Sequence, residues 1–128
     1  ASYEEIVNKI EKNDYIYITG GNTFFLLQEL RRTGADKVLI REINNGKLYI
    51  GESAGAIIVS PDIEYSAKMD CIEKAPCLKD YTGLNIIDFY IIPHYKNWEM
   101  GKAADEIIRL YSGKLDFKII SDNQAISN

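Results

Sequence analysis

Short apolar runs and amphipathic stretches alternate along this chain. Ile6, Val7 and Ile10 recur at three- and four-residue spacing among charged neighbours, which predicts a helix over residues 3–12. Tyr15-Ile16-Tyr17-Ile18, rich in β-branched and aromatic types, predicts a strand. Gly20-Gly21-Asn22-Thr23 then reads as a turn able to cap the helix from Phe24 to Arg32, in which Leu26, Leu27 and Leu30 face inward and Gly34 marks the end. Asp36 opens the next helix, with Leu39, Ile40 and Ile43 on one face, and Asn44-Asn45-Gly46 stops it. A strand over 47–51 leads into a tight turn and a short helix, Ala54 to Ser60, that Pro61 ends.

From Asp62 to Asp88 the periodicity fades, a long stretch for a structureless connection. A short strand, or a cover over a site, is the expectation there. Residues 89–92 predict a strand, and Asn97 can cap a helix to about Tyr111 with Met100, Ala103, Ala104, Ile107 and Ile108 buried and Gly113 as its stop. Phe117 to Ile120 is the last full strand, running into Ser121-Asp122-Asn123, and Ala125 to Asn128 reads as a strand just begun. Alternating strands and helices imply right-handed crossovers, hence an α/β fold: a mostly parallel sheet with helices on both faces. Four full strands are few for such a domain. Either an oligomer completes the core or the chain is part of a longer protein.

Composition narrows the picture modestly. A chain of 128 residues with 46% apolar content fits one domain, residues 1–128, that buries roughly two thirds of its extended surface. A net charge of −4, with basic pairs such as Arg31-Arg32 isolated from aromatic platforms, argues against nucleic acid as a partner. The single histidine, with Cys71 and Cys77 in neither CxxC nor zinc spacing, argues against a metal, and no cofactor motif is complete. The opening Ala1-Ser2-Tyr3-Glu4-Glu5 lacks a signal-peptide pattern, and no apolar stretch reaches the 18 or so residues that span a bilayer. A cytoplasmic protein without a membrane partner is the expectation.

The chemistry concentrates in Gly51-Glu52-Ser53-Ala54-Gly55-Ala56, directly behind the apolar run Leu48-Tyr49-Ile50. A nucleophile on a strand-to-helix turn needs small neighbours, because backbone crowds it on both sides. Ser53 would project above the carboxyl edge of the sheet, and the Ala54 N–H could receive an oxyanion. A serine hydroxyl needs a base, and His94 is the one imidazole, placed after its own strand beside Pro93. For the carboxylate that orients it, Asp122 is the first choice because it follows the 117–120 strand. Asp70 is the alternative, and Asp88 is weaker because it precedes its strand. Gly20-Gly21-Asn22-Thr23 is a second source of oxyanion donors. Glu52 beside the serine would oppose developing negative charge if it faced inward, so it is expected to point away from the pocket unless it reads substrate.

Together, Ile18 to Phe24, Tyr49 to Ala56, Ile91 to Tyr95 and Ser121 to Ala125 resemble the dipeptidase E family of serine peptidases, related in fold to class I glutamine amidotransferases. The resemblance implies that fold in incomplete form, because family domains extend further at both ends. It implies Ser53 as nucleophile, His94 as base, and Gly21 and Ala54 as oxyanion-hole donors. Asp122 stands where the family carries its acid, and Asn22 and Glu52 border the substrate. The implied activity is hydrolysis of short peptides, releasing an N-terminal aspartate, without a metal. Glu52 replaces a family tryptophan, which bears on that specificity. A cyanophycinase- or esterase-like hydrolase is the neighbouring possibility. An incomplete domain that only binds a ligand or partner is the rival from another class, and an exposed sheet face would favour a homo-oligomer.

Overall fold

The computed structural model describes residues 2–127. Ser2 caps α1 (Tyr3–Lys12) through a reciprocal capping box with Glu5. β1 (Tyr15–Ile18) follows, then α2 (Thr23–Thr33), whose N-terminal N–H at Phe25 is satisfied by the Asn22 side chain and whose end is Gly34 in the left-handed region. α3 (Ala35–Asn44), β2 (Leu48–Gly51) and a single-turn α4 (Ala54–Ile57) come next. The last regular elements are β3 (Tyr90–Ile92), α5 (Gly101–Tyr111) and β4 (Phe117–Ile119).

All four strands are parallel to their partners, as the alternation of elements requires. β1 pairs with β2 in the register Tyr15 opposite Leu48 through Ile18 opposite Gly51. β3 pairs with β4 from Tyr90 opposite Phe117 to Ile92 opposite Ile119. In place of the one continuous sheet expected, the described residues form two such pairs. Side chains close the junction: Ala56 of α4 packs with Phe89 and Ile91. α4 touches β1, β2 and β3, so it is the wedge between the pairs. Because each pair is in register, the carboxyl end of β1 lies beside that of β2, and that of β3 beside that of β4.

The strands bury alternate residues. Ile16, Ile18 and Tyr49 face a core of Leu39, Ile58, Val59 and Leu84, covered by Leu26, Leu30, Ile40 and Ile43 of α2 and α3. A second core joins Phe24, Leu27, Ile57, Ile63, Tyr65, Ile92 and Ile107. On the other side of β1 and β2, Tyr15, Tyr17, Leu48 and Ile50 stand exposed, so among the described residues the helices cover one face of that pair.

Four segments differ from the sequence expectation. α4 stops at Ile57 and does not continue to Ser60, because the carbonyls of Ile58, Val59 and Ser60 accept bonds from Leu84, Ile86 and Asn85. Residues 62–88 hold no strand. They carry two 3₁₀ turns, Glu64–Lys68 and Ile72–Lys74, and one bridge between Asp62 and Thr82. The turns pack along α5 and α2, so the segment lies beside the helices. α5 begins at Gly101, since the Asn97 side chain draws the N–H groups of Glu99 and Met100 into a separate turn. No strand forms over 125–127, and Asn128 lies outside the described residues.

Candidate active site

The turn after β2 is built by exclusion of side chains. A Cβ on Gly55 would sit 2.1 Å from the Ile18 carbonyl oxygen, and one on Gly51 would sit 2.4 Å from the Gly55 oxygen. The Tyr49 hydroxyl donates to that Gly55 oxygen at 2.6 Å, and burial pushes this phenol's pKa up. Pinned on both sides, the chain turns at Ser53 with φ 55° and ψ −114°, a left-handed conformation that a residue with a Cβ rarely adopts. The serine is therefore held at the tip of the turn.

The imidazole reaches it from the other pair. Beyond β3, His94 also has positive φ, 64°, and the adjacent Tyr95 N–H donates to Ile120 beyond β4, which stitches the two loops together. His94 Nε2 lies 3.0 Å from Ser53 Oγ, and His94 Nδ1 lies 2.8 Å from Asp122 Oδ1. The carboxylate at Nδ1 assigns the ring proton to that nitrogen and leaves Nε2 to accept from the serine hydroxyl. His94's side chain is 24% exposed and Asp122's 51%. Hydrogen bonds from Asn97 first, and from His94 second, hold the Asp122 carboxyl below its ordinary value, so it is ionised at neutral pH.

Gly20 and Gly21 lie against the serine. A Cβ on Gly20 would stand 3.4 Å from Ser53 Cβ and 3.6 Å from Oγ, while Gly21 has φ 122°, which disfavours any side chain. Neither the Gly21 nor the Ala54 N–H donates to another backbone group among the described residues.

The remaining sequence candidates border the site and make their hydrogen bonds within the fold. Asp70 accepts from the N–H and hydroxyl of Thr23, at 3.0 and 2.5 Å, so its carboxylate is engaged with the glycine turn, and Asp122 holds the imidazole. Asn22 uses both ends of its amide within the fold, accepting from Phe25 N–H and donating to the Cys71 carbonyl at 2.9 Å. Glu52 accepts from the Tyr17 hydroxyl on the exposed face of β1 and β2, the outward placement that its charge beside Ser53 favours. An open hollow of about 370 Å³ follows that face along Tyr15, Tyr17, Leu48, Ile50 and Glu52. The functional residue that sequence reasoning missed is Asn97, read only as a helix cap. Its Nδ2 donates to Asp122 Oδ2, so one amide both closes the turn after His94 and grips the carboxylate behind it. Among the described residues, no cluster of three His, Cys, Asp or Glu side chains could hold a metal ion.

Fold and geometry define a class: a parallel α/β domain bearing a hydrogen-bonded Ser–His–Asp array on adjacent strand ends. The chain belongs to peptidase family S51, whose family model matches residues 1–128. It is 52% identical over 126 residues to an uncharacterized peptidase of Pasteurella multocida (98% of this chain, 61% of that relative). It is 40% identical over 89 residues to a peptidase E of Shewanella sp. strain ANA-3, covering 70% of this chain and 36% of that protein. A solved structure from Listeria monocytogenes EGD-e, described as a candidate peptidase E protein, superposes with a TM-score of 0.89 at 52% identity, covering 95% of this chain and 58% of that one. The chain thus spans 61% of the length of the Pasteurella protein and 58% of the Listeria one.

Proposed function

We propose that the whole protein is a serine peptidase acting on short peptides, with Ser53 as nucleophile, His94 as general base and Asp122 as the orienting carboxylate. The observation that carries this reading is the line of contacts Ser53 Oγ–His94 Nε2–Asp122 Oδ1, at 3.0 and 2.8 Å. His94 takes the hydroxyl proton as Ser53 Oγ bonds to the peptide carbonyl carbon, and the N–H groups of Gly21 and Ala54 receive the oxyanion. The imidazolium, held by ionised Asp122, then protonates the leaving amine. Water attacks the acyl-enzyme by the same route: His94 accepts its proton and returns it to Ser53 Oγ as the acyl–oxygen bond breaks, which frees the acid product and restores the serine hydroxyl.

Release of an N-terminal aspartate is the finer part of the reading, supported by the resemblance of the motifs; a panel of Asp-X, X-Asp and ester substrates tests it. The exposed face of Tyr15, Tyr17, Leu48 and Ile50 supports association with further protein, a second copy included. A cytoplasmic setting fits a chain in which, among the described residues, no helix is long and apolar enough to cross a membrane.

A fluorophosphonate reagent is expected to add one adduct, mapped by mass spectrometry to the peptide carrying Ser53. A folded protein of unchanged mass would remove Ser53 as nucleophile. Asn97→Ala is expected to slow hydrolysis by roughly tenfold, well short of the ~10⁴-fold that losing the carboxylate's orienting role costs serine hydrolases. In the same variant the Asp122 carboxyl pKa should rise, because its largest stabilising partner has gone. An NMR titration of that carboxyl together with steady-state rates checks both.

A further inference from the structure

We propose that Asp70 is a positioning residue: it braces the Gly20-Gly21 turn so that the Gly21 N–H faces the oxyanion formed at Ser53. This rests on the peptidase reading above.

Two consecutive glycines, one with φ 122°, make a turn with little conformational preference of its own. An oxyanion donor must nevertheless be placed to within a fraction of an ångström, and displacements near 1 Å cost about a hundredfold. The turn needs an external hold, and the next two residues supply it. Thr23 is fully buried, and both its N–H and its hydroxyl donate to Asp70 Oδ2, at 3.0 and 2.5 Å. Asn22 donates to the carbonyl of Cys71 at 2.9 Å. Residues 22 and 23 are thus tied to residues 71 and 70.

The brace is itself anchored. The Asp70 and Met69 N–H groups donate to the Ser66 carbonyl, and buried Ser66 donates its hydroxyl to Ile63 at 2.8 Å. Beside it, buried Tyr65 donates its hydroxyl to the Ile91 carbonyl in β3, the strand that delivers His94. Further along, Gln28 of α2 accepts from the Cys77 N–H and Arg31 pairs with Asp80, both at 2.8–2.9 Å. One segment therefore references the glycine turn to the same strand that carries the imidazole. That explains why a stretch without helix or strand periodicity carries so many specific side-chain bonds: it acts as a strut between two halves of the site.

Three variants of the whole protein separate positioning from mere support. Asp70→Ala strips both Thr23 donors of their acceptor; Thr23→Val removes the hydroxyl alone; Asp70→Asn keeps an amide oxygen able to accept from both. Rates are taken per reactive serine, counted by adduct stoichiometry, and amide hydrogen exchange is followed across residues 19–23. The expected result for Asp70→Ala is a kcat lowered roughly 10- to 100-fold with KM changed less than about threefold, the acid limb of the pH profile unmoved, and exchange at the turn accelerated. Thr23→Val should show a smaller version of each change, and Asp70→Asn should restore most of both. Unchanged exchange in Asp70→Ala, or in Thr23→Val if the former does not fold, overturns the brace whatever Ser53 does. Faster exchange with unchanged kcat overturns its catalytic part. An unlabelled, inactive but folded parent protein would instead defeat the peptidase reading, and the exchange data would still decide the brace.

Discussion

Replacing His94 by alanine in the whole protein is expected to lower peptide hydrolysis by roughly 10⁴- to 10⁶-fold while the fold survives. The loss follows from the serine's chemistry. Its hydroxyl is not ionised at neutral pH, the chain has no second imidazole, and the nitrogen lies 3.0 Å from Oγ. The fold should survive because the imidazole is partly exposed and its two hydrogen bonds, to Ser53 and Asp122, join site residues. The backbone at position 94 has φ 64°, where alanine is less comfortable than histidine. His94→Asn is therefore the better-tolerated companion, since asparagine accepts the left-handed region, and it should be equally inactive. Steady-state rates beside circular dichroism check both variants. Rates equal to the parent's would take His94 out of the mechanism.

What sequence could reveal here follows the range of the interactions. The helices α1 to α3 and the strands rest on local periodicity, so apolar spacing and cap residues such as Asn22 and Gly34 sufficed. The serine turn was legible as a run of small residues behind a strand, although only the demand at Gly51 comes from neighbours a few positions away, while that at Gly55 comes from the Ile18 carbonyl in β1. The segment 62–88 was not legible, because its shape is dictated by carbonyls of Ile58, Val59 and Ser60 more than twenty residues earlier and by Gln28 and Arg31 of α2. Asp70 illustrates the limit most clearly. A carboxylate near a site in sequence cannot announce whether it faces an imidazole or a buried threonine, and only the fold turns it to Thr23. Asn97 hid behind a true but partial reading, since it does organise the turn before α5, yet its second amide atom serves Asp122.

Gly55→Ala is expected to destabilise the protein by at least about 3 kcal/mol, and in the opposite sense to helix propensity. Alanine is the better helix former by about 1 kcal/mol, and Gly55 sits inside α4 with no positive φ that would demand glycine. Propensity alone therefore predicts stabilisation. Packing predicts the reverse, because the added Cβ would fall 2.1 Å from the Ile18 carbonyl oxygen, and that obstacle is backbone, with no flexible side chain able to yield. Ile18 cannot retreat cheaply either, since its carbonyl accepts the Glu52 N–H at 2.9 Å and thereby joins β1 to the turn that holds Ser53. Gly46 provides the contrast. It has φ 101° with nothing within 4 Å of its would-be Cβ, so Gly46→Ala should cost only about 1 kcal/mol, from backbone strain alone. Urea unfolding of the two variants measures the difference directly. If Gly55→Ala proved as stable as the parent, α4 would not press against β1 as closely as the geometry of the serine turn requires, and the placement of Ser53 Oγ within reach of His94 would lose its structural cause.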